Sequence, residues 1–475
     1  MDHVVIRELI LSELKKRYKI LFLKNKGSKG EQMDAREIAL KIINDVTSNH
    51  AYANIALVRE FNRHKISDQD RRFITELVYG TIKAGETLDW IIGHYVTRSL
   101  NKVAPVILNI LRMGMYQIFF LSKVPVSAAC NQAVELTKRY GHTGTVKFVN
   151  AVLRNAGRAP EKVIYPDREK NIVKFLALKY FHPQWMVARW VKRLGADAAE
   201  ELCQINNVTP ALSLRTNTLK NTREELLDIL NLEGVSAEAS AWTPEGIVCH
   251  SYPALSTLKS LRDGLFQIQD ESSMLVAHVL APKPGEFIID ACGAPGGKST
   301  HIATLMENKG RVLSTDIYKH KLALTQENAQ RLGLTIIDVQ SLDATTLGDN
   351  YARQADKVLV DAPCSGLGVL RRKADSRWRK TEDMFKELPI LQMAILNSAA
   401  ECVKLGGTLV YSTCTTEPEE NQDVVNNFLK ENPDFALLHA GEMFPVTENK
   451  AEMVQLWPHI DHVDGFFISR LMRVK

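Results

Sequence analysis

No apolar run in this 475-residue chain approaches the roughly 20 residues needed to cross a membrane. The opening segment, MDHVVIRELILSELKKRYKILFLKNKGSKG, has no clean apolar core followed by a small-residue cleavage site, so it does not read as a secretory signal. Cysteine is sparse and scattered, seven in all, which excludes a disulfide-stapled secreted fold. A reducing cytoplasm fits, and it would keep the thiols free. Excess charge is missing from most of the chain as well. The formal +5 arises within residues 1–30, where eight Lys or Arg face three Asp or Glu; the remainder is close to neutral. Any field for nucleic acid must then come from local segregation of charge. The basic lead reads as an RNA-contacting extension, as a tail, or as an overextended start before Met33.

What is present is a globular composition, 45% hydrophobic and 24% charged, in a chain long enough for several domains. Beyond the basic N-terminal extension (1–33), residues 34–160 carry apolar positions at helical spacing, as in AREIALKIINDV and APVILNILRMGMYQIFFL, and predict a helical bundle. Asp68 and Ser127 are expected helix starts, Gly141 and Gly157 expected stops. Lys138, Arg139, Lys147, Arg154 and Arg158 form either an RNA-facing patch or a solvated surface. A helical linker (161–205) holds Trp185 and Trp190, read as packing anchors, and His182, which has no ligand cluster around it. Residues 206–265 read as a small α/β region, with Arg215 and Asn217 alternating with apolar neighbours and so expected on an exposed strand face.

From 266 to 475, strands alternate with helices: FIIDACG, RVLSTDI, TIIDVQSLD, KVLVDAPC and GGTLVYSTC. This pattern predicts a mostly parallel sheet covered on both faces, with ligands beyond the C-terminal strand ends. Cys292-Gly293-Ala294-Pro295-Gly296-Gly297-Lys298 forms a glycine-rich turn between the first of these strands and a helix. It is neither GxGxxG nor GxxxxGKS/T, so neither a dinucleotide nor a triphosphate is specified. Acids at successive strand ends make it a nucleotide pocket: Asp290, Asp316 to accept from ribose hydroxyls, Asp343 from an adenine amino group, and Asp361 near the reacting centre. Beside them stand two thiols, Cys364 in DAPCSG and Cys414 in YSTCT. Carbon 5 of cytosine is too weak a nucleophile to take a methyl group readily, and thiolate attack at C6 activates it. A base must then remove the C5 proton, so covalent and acid–base groups belong in one site.

FQIQDESS, DACGAPGGKST, DAPCSGLG, YSTCT and the late DGFF, in this order, resemble the motifs of the S-adenosyl-L-methionine-dependent RNA cytosine-5 methyltransferases of the NOL1/NOP2/Sun family. The helical 34–160 region resembles the NusB-like domain of the members that act on bacterial 16S ribosomal RNA. The resemblance implies three parts: an all-α NusB-like RNA-binding bundle, a small α/β RNA-binding region, and a C-terminal Rossmann-like methyltransferase with a mostly parallel seven-stranded sheet. It implies Cys414 as nucleophile, Cys364 as the group assisting release, Asp361 on the polar edge of the cytosine, and Lys298 organising the pocket. Strand order alone leaves the two thiol roles open. The implied partner is 16S ribosomal RNA before complete small-subunit assembly, with no metal or membrane. Ala374 departs from the family's usual Pro. Arg371, Arg372, Lys373, Arg377, Arg379 and Lys380 form a basic segment expected to hold phosphates, with Trp378 either stacking a nucleotide or packing under the loop. A tRNA methyltransferase, a DNA methyltransferase and a non-catalytic assembly factor remain alternatives.

Overall fold

The computed structural model describes residues 34–97, 99–373, 375–446 and 450–475; the basic lead 1–33 and Ala374 lie outside the described residues. By contact density the chain forms two units, one comprising the N-terminal residues to Thr81 with Ile92–Pro160, the other Ile82–Ile91 with Glu161–Lys475.

The first unit is helical, with Ala35–Ser48, Ala53–Arg63, Pro105–Phe120, Val126–Tyr140 and Thr143–Arg158 as its longest segments apart from Asp68–Lys83. Its core includes Ile42, Ile43, Ile110, Met113, Met115, Cys130 and Leu153, while Phe119 and Phe120 are half-buried. Small residues set the helix spacing: a Cβ on Gly114 would lie 2.8 Å from Leu153, and one on Gly80 would strike Tyr116. The terminal signals shift slightly from expectation. Ser67, not Asp68, accepts the orphan N–H of Asp70 at 3.1 Å. Pro125, not Ser127, precedes the Val126 helix. Gly141 does cap that helix, whereas Gly157 sits inside the next one, where a Cβ would come within 2.3 Å of Val126.

In the second unit, helices Ile172–Tyr180, Gln184–Leu194 and Ala196–Ile205 build a small core around Leu176, Met186, Trp190 and Cys203. Leu367, Leu370 and Phe385 join this cluster, so the linker helices back the loop that follows Cys364. The next segment forms strands β1 (Leu212–Thr216), β2 (Ser236–Ala239), β3 (Gly246–Ser251) and β4 (Phe266–Ile268), an antiparallel sheet ordered β2-β3-β1-β4. The edge strand β4 therefore lies beyond the break expected near Leu265.

Eight strands make the main sheet: β5 (Phe287–Asp290), β6 (Arg311–Asp316), β7 (Ile337–Ser341), β8 (Ala355–Asp361), β9 (Val403–Thr413), β10 (Phe435–Leu438), β11 (Met453–Leu456) and β12 (Phe466–Arg473). Seven run in the order β10-β12-β9-β8-β5-β6-β7, and β11 pairs onto β12. Strands β5 to β9 are mutually parallel, while β12 inserts antiparallel beside β9. Side chains alternate between two cores. Ile289, Val358, Val360 and Tyr411 face one, and Ile288, Leu359 and Val410 the other, as a sheet buried on both faces requires. The chain leaves β5 towards β6 on one side and later returns to place β8 on the other. This switch point opens a crevice at the C-terminal strand ends. Among the described residues no helix is long and apolar enough to cross a membrane.

Candidate active site

The turn after β5 is built from the inside. Asp290 is fully buried and accepts from Ser299 Oγ at 2.6 Å, and Ser299 in turn lies 2.9 Å from Ser314 on β6. Burial pushes the Asp290 carboxyl up to about 7. A Cβ on Gly293 would sit 2.3 Å from Ser314 Oγ and 2.8 Å from Asp290, so only glycine closes the turn here. Gly296 has φ +95°, the left-handed region, directly before helix Gly297–Leu305. Asn328 holds the Pro295 carbonyl at 3.2 Å, and the Gly296 N–H reaches the Gly293 carbonyl at 2.7 Å, which folds Ala294 into a tight loop. A Cβ on Gly297 would meet nothing within 4 Å. The turn is thus closed behind and open in front. Cys292 is half-buried, its thiol pushed up by burial and the surrounding acids.

Of the four strand-end acids, Asp290 is an internal brace and three reach outward. Asp316 is half-buried and accepts the Tyr318 N–H at 2.8 Å through Oδ1. Asp343 is exposed and caps its own turn through Oδ1, from the Thr345 N–H and hydroxyl, which hold its carboxyl below the usual range. In both, Oδ2 has no partner among the described residues. Asp361 receives Lys298 Nζ on Oδ2 at 2.7 Å and Ser412 Oγ on Oδ1 at 2.9 Å. Burial would lower the Lys298 pKa; Asp361's charge and hydrogen bond outweigh it and the pKa is raised. The ammonium also lies 5.0 Å from the Phe466 ring of DGFF.

Parallel pairing of β8 and β9 aligns Asp361 with Ser412, so the two thiols leave adjacent strand ends together. Cys364 Sγ and Cys414 Sγ are 3.3 Å apart. Their environments differ. A hydrogen bond from Cys364 lowers the Cys414 pKa, aided by Lys298 and Lys373 against burial and Asp361. That same bond raises Cys364, with burial, Glu420 and Asp361 adding to it. The surroundings therefore favour the anion at Cys414 over the anion at Cys364. The backbone fixes this arrangement: the Gly368 N–H donates to the Cys414 carbonyl at 3.0 Å, and the Gly465 N–H to the Gly368 carbonyl at 2.9 Å. Any Cβ on Gly368 would collide with Gly465.

The basic segment behaves differently from expectation. Arg371 and Arg372 both bind Asp464, and Arg372 also binds Asp270. Arg377 is completely buried, donating to the carbonyls of Phe181 and Asn206 and to Asn207 Oδ1. Arg379 pairs with Asp375 at 2.9 Å. Trp378 Nε1 donates to the Ile82 carbonyl at 2.8 Å, so the ring packs under the loop. These groups satisfy acceptors buried by the fold, leaving Lys373 exposed and Lys380 half-buried.

Arg215 and Asn217 are likewise buried, not exposed. Arg215 donates to the Gly297 carbonyl at 2.7 Å and to Thr300 Oγ1 at 3.0 Å, bracing helix Gly297–Leu305 from the small sheet. Nearby, Glu245 Oε1 lies 2.9 Å from Nε2 of both His278 and His301. Burial and the Arg215 charge drive His301 down to about 3, so that imidazole is neutral. The residues that sequence reasoning missed are those that hold others: Ser299, Ser314, Ser412, Glu420 and Asp464. The acids of TEPEEN, directly after YSTCT, were the available signal for Glu420.

The comparisons agree with this layout. The family described as 16S rRNA methyltransferase RsmB/F matches residues 277–472, the NusB family residues 33–158, and the RsmF/B-like ferredoxin-like domain residues 182–254. A relative described as a probable ribosomal RNA small subunit methyltransferase B, from Bacillus subtilis, is 41% identical over 448 residues, covering 93% of this chain and 99% of its own. The crystal structure of PH0851 superposes with a TM-score of 0.79 at 28% identity, covering 93% of this chain and all of its own. A methyltransferase homologue from Pyrococcus horikoshii gives 0.55 at 30% identity, covering 63% and 97%. The glycine cradle, the open face at Gly297 and the free oxygens of Asp316 and Asp343 fit an adenosyl methyl donor. The chain belongs to the 16S rRNA methyltransferase RsmB/F family, with S-adenosyl-L-methionine as its cofactor.

Proposed function

We propose that the protein methylates carbon 5 of a cytosine in 16S ribosomal RNA, through a covalent bond between Cys414 and cytosine C6. The observation that carries this reading is the 3.3 Å pairing of the two thiols beside the Asp361–Lys298 ion pair. Bound S-adenosyl-L-methionine supplies an electrophilic methyl group. Asp316 and Asp343 would hold its adenosyl part through their free oxygens, and Asp361 would accept from the polar edge of the cytosine. The Cys414 thiolate adds to C6, which makes C5 enamine-like and able to accept the methyl group. The C5 proton must then leave so that the C6–S bond breaks and the aromatic base is restored. Once Cys414 is bonded to carbon, Cys364 loses the anionic partner that holds its proton. The Lys380 charge, which interacts with both thiols, then pulls toward its anion against burial, Glu420 and Asp361. Cys364 is thereby suited to take the proton.

The target base must be unpaired or extruded, since C6 is hidden in a duplex. The NusB-like region (34–160) is the RNA-docking element in this reading. Lys147, Arg154 and Arg158 are exposed on one helix with no carboxylate partner among the described residues, whereas Lys138 and Arg139 pair with Glu135 and Glu37.

Cys414→Ser is expected to abolish the adduct and activity. Cys364→Ser is expected to stall elimination, so that a covalent RNA–protein species accumulates on a denaturing gel. Trapping by Cys414→Ser with none by Cys364→Ser would reverse the roles, and methylation indifferent to both would exclude the covalent route. Mapping 5-methylcytosine in ribosomal and transfer RNA after gene deletion tests the substrate.

A further inference from the structure

Both thiol-bearing segments converge on one buried carboxylate that touches neither thiol. Glu420 is fully buried in the short turn Pro418–Glu420, between β9 and helix Gln422–Glu431. Its Oε2 accepts the Ser365 N–H at 2.8 Å and Gln392 Nε2 at 3.0 Å, and its Oε1 accepts the Ser365 hydroxyl. Ser365 Oγ is also 2.8 Å from Thr415 Oγ1, and Gln392 Nε2 donates to the Pro363 carbonyl at 3.0 Å. Residues on both sides of Cys364 are therefore gripped by one cluster, Ser365 donating to Glu420 and the Pro363 carbonyl accepting from Gln392. The next residue does the same for the other thiol: Asn421 accepts from Thr413 Oγ1 at 2.5 Å and donates to the Thr415 carbonyl at 3.0 Å. The Tyr411 hydroxyl, from β9 itself, anchors the Glu420 carbonyl at 2.6 Å.

We infer that Glu420 is a positioning residue for the release step, holding Cys364 in register with Cys414 through Ser365 and Gln392. The inference rests on the covalent reading above. A buried carboxylate that loses its donors, or donors that lose their carboxylate, cannot turn to water for replacement partners. The Ser365 N–H, next to Cys364, then loses the acceptor that fixes it, and the remaining ties lie at the Ser365 hydroxyl and at Gly368. Attack by Cys414 draws on Cys364 only for the hydrogen bond that favours its anion, with Lys298 and Lys373 also favouring it, whereas removal of the C5 proton needs Cys364 itself at a defined place. Loosening Glu420 therefore impairs release more than attack.

Glu420→Gln keeps the volume but places an amide NH2 among donors. In the full-length protein, given S-adenosyl-L-methionine and unmodified small-subunit ribosomal RNA, it is expected to bind cofactor normally and turn over about tenfold more slowly. The covalent RNA–protein species should accumulate, and adding Cys414→Ser should remove it. Ser365→Ala, which cuts the hydroxyl link to Glu420 and Thr415, is expected to shift the ratio of adduct to product in the same direction by less. Cys364→Ser run in parallel separates two failures. If it traps RNA while Glu420→Gln only slows turnover without trapping, the positioning role is overturned and the covalent reading stands. If neither traps, the covalent reading itself fails. Should Glu420→Gln not fold, Ser365→Ala decides by the same ratio, and an unchanged ratio rejects the inference.

Discussion

Two basic stretches of this chain look alike as sequence and differ as structure. On helix Thr143–Arg158, Lys147, Arg154 and Arg158 project into solvent, the nearest bond being from Arg154 to Asn150 at 2.8 Å. In the segment after Cys364, four arginines are consumed by Asp464, Asp270, Asp375 and the carbonyls of Phe181 and Asn206. Guanidinium suits that interior task because its planar fork satisfies several fixed acceptors at once. The denser basic cluster is therefore mostly scaffold, and the sparser one is free to meet phosphate.

The largest effect that would break this contrast is on stability. Arg377→Ala takes the guanidinium from one buried and two half-buried acceptors and should cost about 3 kcal/mol in urea unfolding. A variant that unfolds like the parent yet binds RNA weakly would return Arg377 to the phosphate-binding class. Next comes the exposed set. Arg154→Glu with Arg158→Glu should leave unfolding unchanged while weakening RNA binding, and the salt dependence should flatten by about one unit of slope per lost phosphate contact. Equal RNA affinity across a salt series would remove the NusB-like helix from the docking surface.

The smallest effect extends the contrast to acids, where Asp290 turns inward and Asp316 outward. A carboxyl whose folded value is about 7 against an ordinary 3.8 favours the folded state only when protonated. Its contribution is present at low pH and is lost as pH rises through that window. Asp290→Asn should accordingly gain stability relative to the parent as pH rises from about 4 to about 7, with no further change above that. A difference that is flat with pH would mean Asp290 is not titrating there.

Much of this was legible in the sequence because it follows local rules. Five strand runs, each ending in an acid or a thiol, were enough to place the crevice and line up Asp316, Asp343, Asp361, Cys364 and Cys414. What failed depended on which face of an element is covered. Alternation in SLRTN shows that Arg215 and Asn217 share a strand face, but it cannot show that helix Gly297–Leu305 lies over that face. Nor could composition reveal the acceptors awaiting Arg377, which come from positions more than 150 residues earlier. The asymmetry between the thiols also lay beyond sequence pattern, because it arises first from the bond between them and then from Lys298, Lys373 and Glu420 converging from separate elements.

The contact between Gly368 and Gly465 has a consequence for how the enzyme is made. The loop carrying the first thiol is tied to a residue just ahead of β12, and β12 itself inserts beside the strand that ends at Cys414. Strand β12 emerges from the ribosome after every other strand of the sheet. The cofactor turn, finished some 170 residues earlier, can fold while synthesis continues, but the tie from Gly465 to the loop after Cys364 is not made until this late segment arrives. The loop that carries the first thiol is thus locked by one of the last segments of the chain to be made.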